Sequence, residues 1–167
     1  STVPRGSQLS DTTTGRPMPR VYLDVCCLNR PFDDQSQDRI RLESEAVLLI
    51  LNRLQHVQDW IWVGSDVLGY EVEQDPDMER RRRGAALLGF AEENKPAGPS
   101  AAQRARVLHD LGFKAVDALH VACAEQATCD VLLTTDDRML GVARRISDQL
   151  RVRIDNPVNW LREMEQP

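Results

Sequence analysis

The run CDVLLTT, residues 129–135, offers no polar face: Val131, Leu132 and Leu133 are all apolar and two threonines follow. A strand of that kind has to be covered on both sides, the condition of a strand inside a parallel sheet. Three more short runs read as strands: RVYLDV from residue 20, DWIWVGS from residue 59 and RVRID from residue 151. Between them apolar residues recur at helical spacing. Over residues 36–57, Ile40, Val47, Leu51 and Leu54 share a face, with Ser36 as the expected N-cap. Ser65 is placed to cap DVLGYEVEQ, and Pro76 to open a helix running through Asn94. Ser100 should cap AAQRARVLHDL, which Gly112 stops. KAVDALHVACAEQA is the best-patterned helix, followed by DDRMLGVARRISDQL and by NPVNWLREME with Asn156 as cap. Strands alternating with helices predict an α/β fold, a three-layer α/β/α sandwich around a central parallel sheet of four to five strands.

The first 17 residues stand outside this pattern. STVPRGSQLSDTTTGRP contains VPRGS, which resembles a thrombin-cleavage remnant, and continues as polar linker. Residues 1–17 are expected to be a foreign remnant or disordered tail, and 18–167 a single domain beginning at Met18. Without Arg5, Arg16 and Asp11 the net charge moves from −5 to −6. Acidity disfavours non-specific nucleic-acid binding, which Lys and Arg drive. A protein holding divalent metal with carboxylates, however, becomes locally less negative once loaded. No apolar run approaches the ~20 residues of a membrane span. The N-terminal stretch lacks the apolar core of a signal peptide, and a cytoplasmic location is expected. Cys26, Cys27, Cys123 and Cys129 have neither CxxC pairs nor zinc-ribbon spacing, and read as reduced thiols. The adjacent Cys26 and Cys27 read as small packing residues.

Parallel sheets place their sites beyond the carboxyl ends of the strands. Asp24 closes the first strand, Asp136 follows the strand at CDVLLTT, Asp117 lies in the first turn of the preceding helix, and Glu71 lies on the helix after the second strand. Each has an ordinary explanation: a first-turn acid answers the helix dipole, Asp136 can cap its helix, and Glu71 can face solvent. An aspartate closing a buried strand is harder to explain unless something binds it. Four acids on one edge, without a basic partner, call for a divalent cation. All-oxygen donors point to Mg²⁺ or Mn²⁺, which can activate water for phosphodiester cleavage.

In order, VYLDVCCLNRPFDD, SDVLGYE, DALHVACAE and LLTTDDRML resemble the PIN domain, the nuclease fold of VapC-type toxins and RNA-processing enzymes. The resemblance spans about residues 20–157. It implies a Rossmann-like sandwich and a metal-dependent ribonuclease, with Asp24, Glu71, Asp117 and Asp136 as catalytic and metal-binding residues and Asp137, Arg30 and Asn29 as accessories. It also implies an RNA substrate, a small antitoxin protein covering the carboxylate edge, and pairing into a homodimer. One departure stands out: the family commonly places a small hydroxyl residue after the first aspartate, and here that residue is Val25. A catalytically silent RNA- or protein-binding module is the alternative from another class. A haloacid-dehalogenase-type phosphatase would need a second aspartate where Cys26 stands.

Other features have two readings. The run Arg80–Arg83 wraps around its helix and reads as a solvated face, a partner contact or an RNA contact. Arg30 either touches a phosphate or pairs with Asp33 or Asp34. His120 either acts as general base or is a hydrogen-bonded structural residue. Trp60, Trp62 and Trp160 are expected in the core or an interface.

Overall fold

A computed structural model describes residues 18–166 of the chain; the expectation for residues 1–17 lies outside them. Five parallel strands form one sheet in the order β3-β2-β1-β4-β5. They are β1 (Arg20–Leu23), β2 (Ile61–Ser65), β3 (Glu93–Lys95), β4 (Val131–Leu133) and β5 (Arg153–Asp155). Tyr22 pairs with Val63 on one side and Leu132 on the other, so β1 is the centre of the sheet. From β1 the chain builds outward through β2 to β3, then crosses back to add β4 on the other side of β1, and the crevice at such a reversal is where open α/β sheets bind.

The helices are α1 (Val25–Asn29), α2 (Asp38–His56), α3 (Asp66–Glu73), α4 (Met78–Leu88), α5 (Pro99–Asp110), α6 (Ala115–Gln126), α7 (Asp137–Arg145) and α8 (Pro157–Met164). They flank the sheet, α2 packing with α8, and α6 with α5 and α3. Val21, Tyr22, Leu23 and all of β4 are fully buried, as the unbroken apolar run requires. Trp60, Trp62 and Trp160 are core residues, and Trp60 and Trp160 pack at 4.9 Å between ring centroids. Gly112 follows α5 with φ +128°, a conformation side chains resist, which is why the helix stops there.

The helix expected from Pro76 to Asn94 is wrong at both ends. Asp77 caps α4, accepting from the N–H groups of Glu79 and Arg80, and the helix ends at Leu88. The remainder turns back to add β3 at the sheet edge. The Glu92 N–H donates to the Trp62 carbonyl at 2.9 Å, and the Glu92 carboxylate accepts from the Trp62 N–H at 3.1 Å. Its charged residues suit an exposed edge and hide it from any hydrophobic pattern. Arg20 then ties β1 to β3 through paired bonds of 2.9 and 2.7 Å to Glu93.

Smaller corrections concern caps. The α2 helix starts at Asp38 after Gln37, while Ser36 sits in a turn where its N–H donates to Asp34. Ser100 is inside α5, which opens on Pro99 at its first position after Gly98, a proline start that needs no side-chain cap. The α7 helix ends at Arg145 and a 3₁₀ turn, Ser147–Gln149, follows it.

Candidate metal centre

Asp24 leaves the sheet and immediately caps a helix. Its N–H continues the ladder to the Leu133 carbonyl at 3.0 Å, and its Oδ1 accepts from the Val25 N–H at 2.8 Å. Val25–Asn29 forms α1, followed by a 3₁₀ turn over Arg30–Phe32. Asp24 is 7% exposed, and the bonds it accepts are what a buried carboxylate requires. Its second oxygen accepts from the Thr134 hydroxyl at 3.0 Å. That hydroxyl also accepts from the Asp136 N–H at 3.1 Å, so Thr134 joins two of the expected acids. The hydroxyl absent at Val25 is thus supplied from the end of β4.

Asp24, Glu71, Asp117 and Asp136 line one cleft of about 300 Å³, together with Val25, Cys26, Asn29, Asp33 and Arg80. The structure brings the four acids to one edge for simple reasons. β1 and β4 are neighbours and end in register, Leu23 opposite Leu133. β2 passes without a loop into α3, whose second turn carries Glu71. Asp117 is in the first turn of α6, and Asp136 caps α7 through the N–H groups of Arg138 and Met139. Asp136 therefore fills the ordinary capping role and still faces the cleft.

Glu71 does not face solvent alone. Its Oε1 lies 2.6 Å from His120 Nε2, and His120 Nδ1 lies 2.6 Å from the Tyr22 hydroxyl, which is 2.7 Å from Ser65 Oγ. Ser65 in turn accepts from the Leu68 N–H at 3.3 Å. With the ring neutral, one proton order satisfies every member: Leu68 N–H to Ser65, Ser65 O–H to Tyr22, Tyr22 O–H to Nδ1, and Nε2–H to the Glu71 carboxylate. His120 is fully buried, as the structural reading expected, but the group it holds is a cleft acid. Burial opposes the imidazolium; the Glu71 bond and the charges of Asp24, Glu71 and Asp117 outweigh it, and the pKa is raised.

The electrostatics of the cleft are those of crowded acids. Burial first, then the charges of Asp24 and Asp136, push the Asp117 carboxyl up to about 6. A divalent cation relieves such repulsion. Asp24, Glu71 and His120 offer ligand atoms within 4.8 Å of one another. While Nε2 donates to Glu71 it cannot ligate, so His120 fits as the group that orients the carboxylate. Asp117 and Asp136 line the same cleft without joining that tight set. A hard cation that keeps part of its water shell fits these oxygen donors.

Arg30 is held by Glu43 at 2.9 Å through Nε and by Asp33 at 3.0 Å through Nη1, fixing the 3₁₀ turn to α2. Asp137 lies outside the cleft lining, largely exposed, gripped by both terminal nitrogens of Arg39 at 2.7 Å. Asn29 lines the cleft. Sequence reasoning misses Thr134 and reads Cys26 as packing; Arg80, whose run has an RNA contact among its readings, lines the cleft. The Cys26 thiol donates to Asp24 at 3.4 Å and accepts from the Thr135 N–H at 3.3 Å, while Cys27, fully buried in the core, donates its thiol to the Leu133 carbonyl at 3.3 Å. The acids also do have basic neighbours, Arg80 and His120.

Fold and site together define a PIN-like α/β protein with an acidic cleft at the carboxyl edge of its sheet. No family model matches the chain, and no curated protein matches it. Among solved structures, a chain of VapBC2 from Rickettsia felis, crystallised bound to a DNA fragment from its promoter, shares the fold. The TM-score is 0.52 at 13% identity, over 82% of this chain and 98% of that one. Among the described residues no helix is long and apolar enough to cross a membrane.

Proposed function

We propose that the chain is a ribonuclease dependent on Mg²⁺ or Mn²⁺, acting in the cytoplasm as the toxin of a VapBC-like pair. The observation that carries the reading is the cleft itself: Asp24, Glu71, Asp117 and Asp136 share it, and burial, with the charges of Asp24 and Asp136, raises the Asp117 carboxyl to about 6. Asp24, Glu71, Asp117 and Asp136 would hold the cation. A bound Mg²⁺ or Mn²⁺ would lower the pKa of water and offset charge developing on a phosphate. The chain's own part is positioning. Thr134 and the Val25 N–H fix Asp24, and the Asp136 N–H bond to Thr134 sets the spacing between the two strand ends. His120 keeps Glu71 turned inward. Asn29 faces the same space and can donate to a phosphate oxygen. The fold shared with a VapBC2 chain supports a small antitoxin that covers this edge.

The test is cleavage of a mixed RNA panel with Mg²⁺, Mn²⁺ or chelator, beside Asp24→Asn. Metal-dependent cleavage that Asp24→Asn abolishes is expected. Equal cleavage by both proteins would place the activity elsewhere. Binding without cleavage under every metal would favour a silent module. Co-expression with the gene next to its own tests the antitoxin.

A further inference from the structure

The arginine run divides in a way its sequence conceals. Arg82 meets Glu79 at 3.6 Å, and Arg81 donates to the Asp75 carbonyl at 2.8 Å. Arg80 and Arg83, one helical turn apart, share the other face. Arg80 lines the acidic cleft, with Asp75 at 3.3 Å. The Arg83 guanidinium lies over the Phe32 ring at 4.0 Å, and its Nε is buried without a hydrogen-bond partner. Phe32 is 51% exposed, at the end of the 3₁₀ turn that continues from the cleft residues Val25, Cys26 and Asn29. The arginines at 20, 30, 39, 53, 104 and 153 all pair with carboxylates. Arg83 instead covers an exposed aromatic beside a cleft full of acids.

An exposed aromatic paired with a guanidinium is a stacking platform for an unpaired base. A cation inside an acidic cleft is what a phosphodiester needs to approach it. We infer that Phe32 and Arg83 stack a nucleobase of single-stranded RNA while Arg80 pairs with a neighbouring phosphate, seating the strand across the acids. This rests on the ribonuclease reading and adds where the strand is held: one base lies on Phe32 and Arg83, a position that a base stacked within a duplex does not reach. Arg30 is held by both Glu43 and Asp33 and is absent from the cleft lining, whereas Arg80 lines the cleft with one longer contact, 3.3 Å to Asp75, that a phosphate can replace.

The experiment measures fluorescence anisotropy of a labelled unstructured oligoribonucleotide, and of the same oligonucleotide annealed to its complement. Asp24→Asn serves as the non-cleaving background for binding, and kcat and KM are taken with Asp24 in place. Phe32→Ala and Arg83→Gln should each weaken single-strand binding roughly 5- to 150-fold, as loss of one stacked base does. Duplex binding should not change, and Phe32→Trp should keep affinity. Arg80→Gln should weaken binding and lower the salt slope by about one. In cleavage, Phe32→Ala should raise KM and leave the Mn²⁺ affinity unchanged. Wild-type single-strand affinity in Phe32→Ala, or equal losses on single strand and duplex, would overturn the subsite. If wild type cuts RNA and Phe32→Ala matches it in KM, the subsite falls alone. If wild type neither binds nor cuts RNA, both readings fall.

Discussion

Replacing Tyr22 by Phe deletes one oxygen from the middle of the sheet and nothing else. The ring stays, so no apolar cavity opens and the packing term is close to zero. The oxygen sits between Ser65 Oγ at 2.7 Å and His120 Nδ1 at 2.6 Å, and Tyr22, Ser65 and His120 are all buried. Its loss leaves an acceptor on His120 and a donor on Ser65 without a partner. An unsatisfied buried group costs about 1–3 kcal/mol, which puts the pair at about 2–6 kcal/mol. Urea unfolding of metal-free protein reads this directly, with the m-value unchanged. A second reading comes from Mn²⁺ titration. With Nδ1 freed, the Nε2–H donor to Glu71 is no longer fixed, and loss of such outer support weakens metal binding roughly 10- to 100-fold. A stability change below about 0.5 kcal/mol together with unaltered Mn²⁺ affinity would show that the Ser65–Tyr22–His120–Glu71 chain is not a connected network, and the argument for His120 would fail.

Thr134→Val keeps the shape of its side chain but removes the donor to Asp24 and the acceptor for the Asp136 N–H. It should weaken Mn²⁺ binding by roughly 10-fold or more, and adding Val25→Thr should restore part of it; isothermal titration measures both. Asp117 carries the pH dependence. Because its folded carboxyl is raised to about 6, the metal-free protein holds that proton longer than the unfolded chain does. Its contribution is greatest below about pH 4, the unfolded value, and is lost as pH rises through about 6. Thermal unfolding across this window should show the decline in wild type, a flatter profile in Asp117→Asn, and a flatter profile again with Mn²⁺. Glu43→Ala should cost about 3–5 kcal/mol by urea unfolding, because a fully buried carboxylate is removed from Arg30, Arg39 and Asn156.

The parts of the fold legible in sequence are those that act locally or through burial. The unbroken VLL run identified a covered strand, Asp117 a first helical turn, Gly112 a stop and Asn156 a cap, because one residue and its near neighbours decide each of them. What stayed hidden depends on partners remote in sequence. β3 is three polar residues whose only reason to extend is the open edge of β2. The Arg30 pair with Asp33, three residues on, is one of its two readings in sequence, but its second partner, Glu43, arrives only with α2. The acids themselves could be named because strand ends and helix starts share one edge of any such sheet.

The support around the acids is a different matter, and Val25 shows why. The pattern asks for a hydroxyl one residue after Asp24, and by that measure this chain is deficient. What Asp24 needs is a donor at its Oδ2, and a donor can arrive there from any element that ends nearby. β4 ends in register with β1, so the first residue beyond it, 110 positions away in the chain, presents the Thr134 hydroxyl at 3.0 Å. The same sheet geometry lets Cys26, read from sequence as packing, offer its thiol to the same oxygen. A motif records one solution to the placement of an atom. Where the fold supplies the atom by another route, a mismatch to the motif is not a defect in the site.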